Sequence, residues 1–240
     1  MRNKKIIIIG ASSGIGRALA EILVSEGNIV GITGRRTELL QDLEAAQPDR
    51  YYVRAFDVTD TDGCADHLDA LVSTMGGVDI LVISAGGGDV NEALDFAVEQ
   101  KIIALNVSGF TCVADWAFNH FKAKGHGHLA AISSIAGIRG SRQAPAYSAT
   151  KAYQTNYLQG LRQKAHKEQA AITITDIRPG FVDTPMAKSP VKFWVAPIDK
   201  AARQIYQALR KRKKVVHITK RWQLIAWIYK WLPGRLHERI

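Results

Sequence analysis

Apolar residues along this chain gather in short β-rich runs, separated by stretches with helical spacing. The runs predict strands over 5–9, 29–33, 51–56, 80–83, 128–133, 172–177 and 215–218. The stretches between them predict helices over 16–25, 38–46, 60–74, 92–122, 147–166 and 198–210. The segment 92–122 is too long for one ordinary globular helix, and Asn106-Val107-Ser108-Gly109 reads as a break within it. Strand–helix alternation implies right-handed crossovers and a parallel sheet covered on both faces. The expected fold class is α/β, a doubly wound parallel sheet of about seven strands with helices on both faces.

No internal repeat and no Ser/Pro-rich linker interrupts the pattern, so the expected organisation is one domain over 1–218 and a short tail over 219–240. At 240 residues and 47% apolar content the chain can bury a full core and is not a disordered segment. Cys64 and Cys112 are too few for a disulfide framework and suit a reducing compartment as inert thiols. Ile6 to Ile9 is too short for a signal-peptide core, and no apolar run approaches the roughly 20 residues of a spanning helix. A cytoplasmic location follows as the expectation. The net charge of +10 is uneven, because residues 210–240 hold ten Lys or Arg against one acid, Glu238. The body is nearly neutral and the tail is basic, which argues for a surface-binding tail rather than a nucleic-acid-gripping body.

Gly10-Ala11-Ser12-Ser13-Gly14-Ile15-Gly16 follows the first strand and opens the first helix. A tight strand-to-helix turn needs residues without Cβ, and bare backbone lets a pyrophosphate approach the positive end of the helix. Ser12, Ser13 and Ile15 lie in this turn and belong to the expected cofactor site. The second strand ends Thr33-Gly34-Arg35-Arg36. Dinucleotide folds place an acid here to hold a ribose 2′-hydroxyl. A carboxylate would repel a 2′-phosphate, whereas the guanidinium donors of Arg35 and Arg36 match it. The expected cofactor is therefore NADP(H).

Ser133-Ser134-Ile135 closes the fifth strand, where ligands bind in open α/β sheets. Tyr147 and Lys151 open the next helix, four residues apart and therefore on one face. With these residues the sequence resembles the short-chain dehydrogenase/reductase family, over nearly the whole body. The glycine motif matches Gly10, Gly14 and Gly16, and Tyr-x-x-x-Lys matches Tyr147 and Lys151, with Ser134 at the family's spacing. The catalytic asparagine matches Asn106, and the adenine-side aspartate matches Asp57 in Phe56-Asp57-Val58. The Pro-Gly turn after the sixth strand matches Pro179-Gly180, followed by Val182 and Thr184. Ile9 replaces the usual threonine. Ile83-Ser84-Ala85-Gly86 replaces Asn-Asn-Ala-Gly, and the resemblance implies that Ala85 and Gly86 would lie against the cofactor.

The resemblance implies a Rossmann-like fold and hydride exchange between nicotinamide and a carbonyl or alcohol. Tyr147 would be the general acid in reduction and the base in oxidation. Free tyrosine titrates near 10, and a charge about 4 Å away supplies the roughly 4 kcal/mol that lowers it by about three units. Lys151 can be that charge, and the resemblance also gives it the nicotinamide ribose. Ser134 can hydrogen-bond the substrate oxygen. The resemblance gives Asn106 a water that passes protons towards Lys151. It also implies a homodimer or homotetramer. Competing functions are a non-catalytic NADP(H)-binding sensor or scaffold, and a cofactor-retaining epimerase or dehydratase. The intact Ser134, Tyr147 and Lys151 count against the first, and the short loop after the sixth strand against the second.

That loop, 181–197, holds Met186, Phe193, Trp194 and Val195 and favours an apolar substrate such as a 3-oxoacyl chain, a keto-lipid or a steroid-like molecule. His120, His126 and His128 lack a supporting cluster of acids or cysteines and read as solvated histidines rather than a metal site. In the tail, Leu224, Ile225, Ile228, Trp231 and Leu232 share one helical face, flanked by Trp222, Trp227 and Tyr229. Such a helix can lie on an anionic membrane surface or pack on protein, and the sequence leaves both open.

Overall fold

The computed structural model describes residues 1–186 and 193–237. Seven strands form one sheet: β1 (Lys5–Ile9), β2 (Ile29–Gly34), β3 (Tyr51–Ala55), β4 (Ile80–Ile83), β5 (His126–Ile132), β6 (Ala171–Pro179) and β7 (Val215–Ile218). Their order is β3-β2-β1-β4-β5-β6-β7, and every neighbouring pair is parallel. The order reverses between β1 and β4. This is the crevice where doubly wound sheets bind ligands, outside the carboxyl ends of the strands.

The two-residue period of a strand divides β1 between the faces. Ile6 and Ile8 pack with Leu19 and Leu23 of α1 (Gly14–Ser25) and with Ile205 and Leu209 of α7 (Ile198–Arg210). Ile7 and Ile9 pack on the other face with Leu68 and Leu71 of α3 (Thr61–Met75) and Val113 and Phe121 of α5 (Phe110–Lys124). Leu158 of α6 (Pro145–Lys167) joins that face. All four isoleucines are fully buried, each stabilising the fold by about 1.5–3 kcal/mol. The remaining helix of the β2–β3 crossover is α2 (Thr37–Ala46).

Local chemistry sets the helix ends. Asp60 accepts from the Gly63 N–H at 3.4 Å and starts α3. Pro145 opens α6, where a missing N–H costs nothing, and the Glu99 carboxylate accepts the next amide, Ala146 N–H, at 3.0 Å.

Two expectations need correction. First, the segment 92–122 is interrupted around Asn106-Val107-Ser108-Gly109, but by a π-helical turn rather than by a break in the helix. Asp95 caps α4 (Phe96–Ile103), a π-helical turn follows over Ala104–Gly109, and α5 continues from it. The chain stays helical through the wide turn, and Gly109 at its end passes the Val58 carbonyl, which a Cβ there would approach to 2.5 Å. Second, His128 is not solvated. It lies buried in β5 with Nε2 2.8 Å from Thr175 Oγ1. Among the described residues no His, Cys, Asp or Glu cluster could hold a metal ion.

The tail helix α8 (Lys220–Trp231), whose apolar stripe the sequence left free to meet membrane or protein, docks mainly by its other side. Trp222 and Ala226 are buried with Ile225 and Tyr229 half-buried, while Leu224, Trp227, Ile228 and Trp231 face outward. The Trp222 indole lies so close to Gly180 that a Cβ there would come within 2.1 Å of the ring. Arg139 donates to the carbonyls of Tyr229 at 3.0 Å, Lys230 at 3.2 Å and Leu232 at 2.8 Å, satisfying acceptors at the helix end that have no partner of their own. Among the described residues no helix is long and apolar enough to cross a membrane.

Candidate active site

The glycine turn leaves β1 with Gly10 at φ +88° and Gly14 at φ +61°, conformations that favour glycine. A Cβ on Gly10 would stand 2.6 Å from Ala85 N, and one on Gly16 would stand 2.1 Å from the Gly10 carbonyl oxygen. The turn is therefore drawn tightly against the loop after β4, and its bare backbone opens at the N-terminus of α1. Thr184 approaches from the opposite side, 3.8 Å from where a Gly14 Cβ would be. Val182 is held beside it by a bridge to Ala196. Ile15 is half-buried behind the turn.

Arg36 folds back over this turn. Its Nη2 donates to Ser12 Oγ at 2.8 Å and to Ser13 Oγ at 2.6 Å. Arg35 turns the other way, 3.5 Å from Asp57. Asp57 also accepts from the Thr59 N–H at 2.9 Å. Burial pushes its carboxyl up, but Thr59 and Arg35 outweigh this and hold it below the usual carboxylate range. Val58 is buried against the π turn. The two arginines thus flank the end of β2, one over the hydroxyls of the glycine turn and one over the aspartate.

Ser134, Tyr147 and Lys151 meet at the carboxyl end of β5. Ser134 begins the 3₁₀ turn Ile135–Ile138, accepting from Ala136 N–H at 3.1 Å and donating to the Pro179 carbonyl at 3.4 Å. Gly180 donates to the Ile218 carbonyl at 2.8 Å, which seats the Pro179-Gly180 turn beside β7. Burial raises the pKa of the Tyr147 phenol, and the Ser134 hydroxyl opposes the rise. Gly88 covers the ring so closely that a Cβ there would sit 2.5 Å from it.

Lys151 is buried, with Nζ 5.8 Å from the centre of the Tyr147 ring. It donates to the Ile132 carbonyl at 3.1 Å and to Gln154 Oε1 at 3.0 Å. Burial lowers its pKa to about 8, against the pull of the buried Asp176 carboxylate. Asn106 is buried in the π turn. Its Oδ1 accepts from Gly87 N–H at 2.9 Å, and its Nδ2 donates to Gly87 O at 2.7 Å and Thr150 Oγ1 at 3.0 Å. Gly86 lies between these groups, its Cβ position 3.3 Å from Lys151 Nζ and 3.4 Å from Asn106 Oδ1.

The structure thus brings Asn106, Ser134, Tyr147 and Lys151 to one place, with Ala85, Gly86, Pro179 and Gly180 around them. Arg35, Arg36, Asp57 and Val58 lie at the β2–β3 end of the same crevice. Met186, Phe193, Trp194 and Val195 are exposed; the intervening part of the loop, 187–192, lies outside the described residues. Sequence reasoning missed Gln154, Glu99 and Asp176. Gln154 carried a signal, being polar and three residues after Lys151 on the buried face of α6. Nothing in the sequence pointed to Glu99, which reaches Ala146 across the fold. A separate open cavity of about 550 Å³, lined by Ile138, Arg178, His217 and one side of α8, contains none of the four residues.

The family model for short chain dehydrogenases matches residues 4–193. An uncharacterized oxidoreductase of Staphylococcus aureus (strain USA300) is 33% identical over 187 residues, covering 77% of this chain and 80% of that protein. One from Staphylococcus epidermidis is 31% identical over 192 residues, covering 78% and 82%. A short-chain dehydrogenase structure from Streptomyces avermitilis superposes with a TM-score of 0.83 at 29% identity, covering 98% of this chain and 93% of that one. The closed form of serine dehydrogenase complexed with NADP+ shares the fold, with a TM-score of 0.82 at 23% identity and coverage of 89% and 93%.

Proposed function

This chain belongs to the short-chain dehydrogenase family, and from that premise we propose that it is an NADP(H)-dependent oxidoreductase interconverting a carbonyl and its alcohol. The observation that carries the reading is the meeting of Ser134, Tyr147 and Lys151 at one strand end. When bound, the cofactor supplies or accepts the hydride.

The residues fit such a cofactor. The cradle of Gly10, Gly14 and Gly16, with Ser12, Ser13 and Ile15, offers bare backbone and a helix N-terminus to a pyrophosphate. Asp57 and Val58 would hold the adenine side. Ala85, Gly86, Pro179, Gly180, Val182 and Thr184 would line the nicotinamide half, with Tyr147 and Lys151 at the ribose. Arg36, already bonded to two hydroxyls of the glycine turn, and Arg35 beside it would bind a 2′-phosphate by charge-assisted hydrogen bonds. This supports NADP(H) over NAD(H).

In reduction the Tyr147 phenol donates the proton that the carbonyl oxygen takes up. Burial keeps that phenol protonated, the form a donor needs. Ser134 donates to the same oxygen as charge develops on it. The Lys151 ammonium makes loss of the phenol proton easier, because a cation near the ring favours phenolate. Asn106 ties the loop after β4 to α6 and keeps Gly87 in place.

The exposed aromatic residues Phe193 and Trp194 support an apolar substrate, of 3-oxoacyl, keto-lipid or steroid-like kind. The outward face of α8, with Lys220, Arg221 and Lys230 exposed around Leu224, Trp227, Ile228 and Trp231, supports docking on an anionic membrane surface. We assign the protein to the cytoplasm, peripheral on that surface, as a homodimer or homotetramer. In domain terms, 1–218 would be the catalytic body and 219–240 the docking segment. The test is a panel of apolar and small carbonyls with NADPH, followed by loss of reduced-cofactor absorbance. Oxidation of NADPH by at least one carbonyl is expected. No turnover with any carbonyl, nor of NADP+ with the matching alcohols, would overturn the reading.

A further inference from the structure

We infer that Gln154 is a positioning residue, an amide clamp that fixes Lys151 to the π turn and closes the inner side of the reactive site. The inference rests on the reading of Lys151 as partner of Tyr147, and deepens it.

Gln154 is 1% exposed and makes two hydrogen bonds. Its Oε1 accepts from Lys151 Nζ at 3.0 Å, and its Nε2 donates to the Asn106 backbone carbonyl at 2.9 Å. The orientation of a glutamine amide is often ambiguous, but here chemistry decides it. An ammonium can only donate and a carbonyl oxygen can only accept, so the amide must lie this way round. Lys151 has three N–H donors. Ile132 O and Gln154 Oε1 take two of them and leave one for the site. The Asn106 side chain is spent on Gly87 and Thr150, so its carbonyl is the group left for Gln154. A continuous buried path then runs from β5 through Lys151, Gln154 and Asn106 to the loop after β4.

The resemblance places a water on Asn106 to pass protons towards Lys151. Here the Gln154 amide nitrogen takes one of the two lone pairs of the Asn106 backbone carbonyl and leaves the other open. Near neutrality a carboxamide does not gain or lose protons, so the Gln154 link itself holds position and does not relay. Lys151 keeps its third donor for proton exchange, with Gly86 beside it. The charged and titratable groups acting on Lys151, among the described residues, are Asp176 on β6 and Tyr147 on its own helix. Gln154 adds a neutral dipole whose oxygen faces the ammonium, and this favours the charged form.

The test is an NMR titration of Lys151 in the full chain with ¹³Cε-labelled lysine, the signal assigned by its loss in Lys151→Arg. Gln154→Leu and Gln154→Ala both remove the acceptor, and the second keeps the test open if the first misfolds. Each should lower the Lys151 midpoint by on the order of one pH unit, the worth of one hydrogen bond to a charged group. Gln154→Glu should raise it, because a carboxylate favours the ammonium. The alkaline limb of kcat against pH should move in the same directions. A purely structural role would lower rates without moving either midpoint. A Lys151 midpoint unchanged in the Leu or Ala variant, or moved the same way in all three, overturns the inference. The titration needs no turnover. A wild type inactive on every substrate would thus count against the proposed function alone, and an active wild type with an unmoved midpoint against the clamp alone.

Discussion

Arg36 Nη2 lies 2.6 Å from Ser13 Oγ, so the second arginine after β2 is seated on the glycine turn itself. Arg35 is engaged with Asp57 instead. Both arginines suit a 2′-phosphate by chemistry, but their seats differ. Arg36→Ala should weaken NADPH binding about 10- to 100-fold, the range of a charge-assisted contact of roughly 1.5–3 kcal/mol. Arg35→Ala should weaken it less, and neither should much affect NADH. Fluorescence titration of the reduced cofactors measures this. Equal affinity of the wild type for NADPH and NADH would remove the basis of the assignment.

Tyr147→Phe keeps the ring under Gly88 and removes only the proton donor. Turnover should fall by about 10²–10⁴, the usual contribution of a general acid, while NADPH binding survives. Steady-state kinetics beside a cofactor titration separates the two effects. A variant that kept most of the wild-type rate on a true substrate would exclude Tyr147 as the donor.

His128 makes the fold sensitive to acid. Burial, with Arg212 nearby, lowers its pKa from 6.5 to about 4. Between those values the unfolded chain binds the proton and the folded chain does not. Stability should therefore fall as pH drops from about 6.5 to about 4, by up to about 3 kcal/mol from this residue. His128→Gln removes that proton and should flatten this part of the curve. Urea denaturation from pH 4 to pH 7 reads the difference, and parallel curves for both proteins would assign the acid sensitivity elsewhere.

The outward face of α8 suggests a test that leaves the core alone. Trp227 and Trp231 are 63% and 69% exposed, whereas Trp222 is packed on Gly180. The protein should sediment with anionic vesicles and not with neutral ones, less so at high salt, since each basic residue adds about 1 kcal/mol near such a surface. Trp227→Ser with Trp231→Ser should abolish sedimentation and leave thermal stability nearly unchanged. If the pair instead changed the oligomeric state, measured by light scattering, the face would be a subunit contact.

Much of this was legible in the chain. All seven strands stood out as short β-rich runs between helical stretches, most plainly the Ile, Val and Leu runs of β1 and β4, and the glycine turn and Tyr147-x-x-x-Lys151 are local patterns. What stayed hidden was non-local. His128 is buried beside Thr175 of the neighbouring strand β6, far away in sequence, and the Gln154 bridge depends on Asn106 from another element. Which side of α8 docks was left open, because helical periodicity finds the apolar stripe but does not show that a bare glycine, Gly180, offers Trp222 a flat seat on the opposite side.

The π turn at Ala104–Gly109 carries a consequence for insertions and deletions. A wide turn holds one more residue than an α-turn and absorbs it without changing the phase of α4 against α5. Removing a single residue from 104–109 would let the turn relax to α geometry with the two flanking helices still facing nearly as before. What would be lost is local: the place of Asn106, whose side chain meets Gly87 and Thr150 and whose carbonyl meets Gln154. The fold should therefore tolerate such a deletion better than the site does.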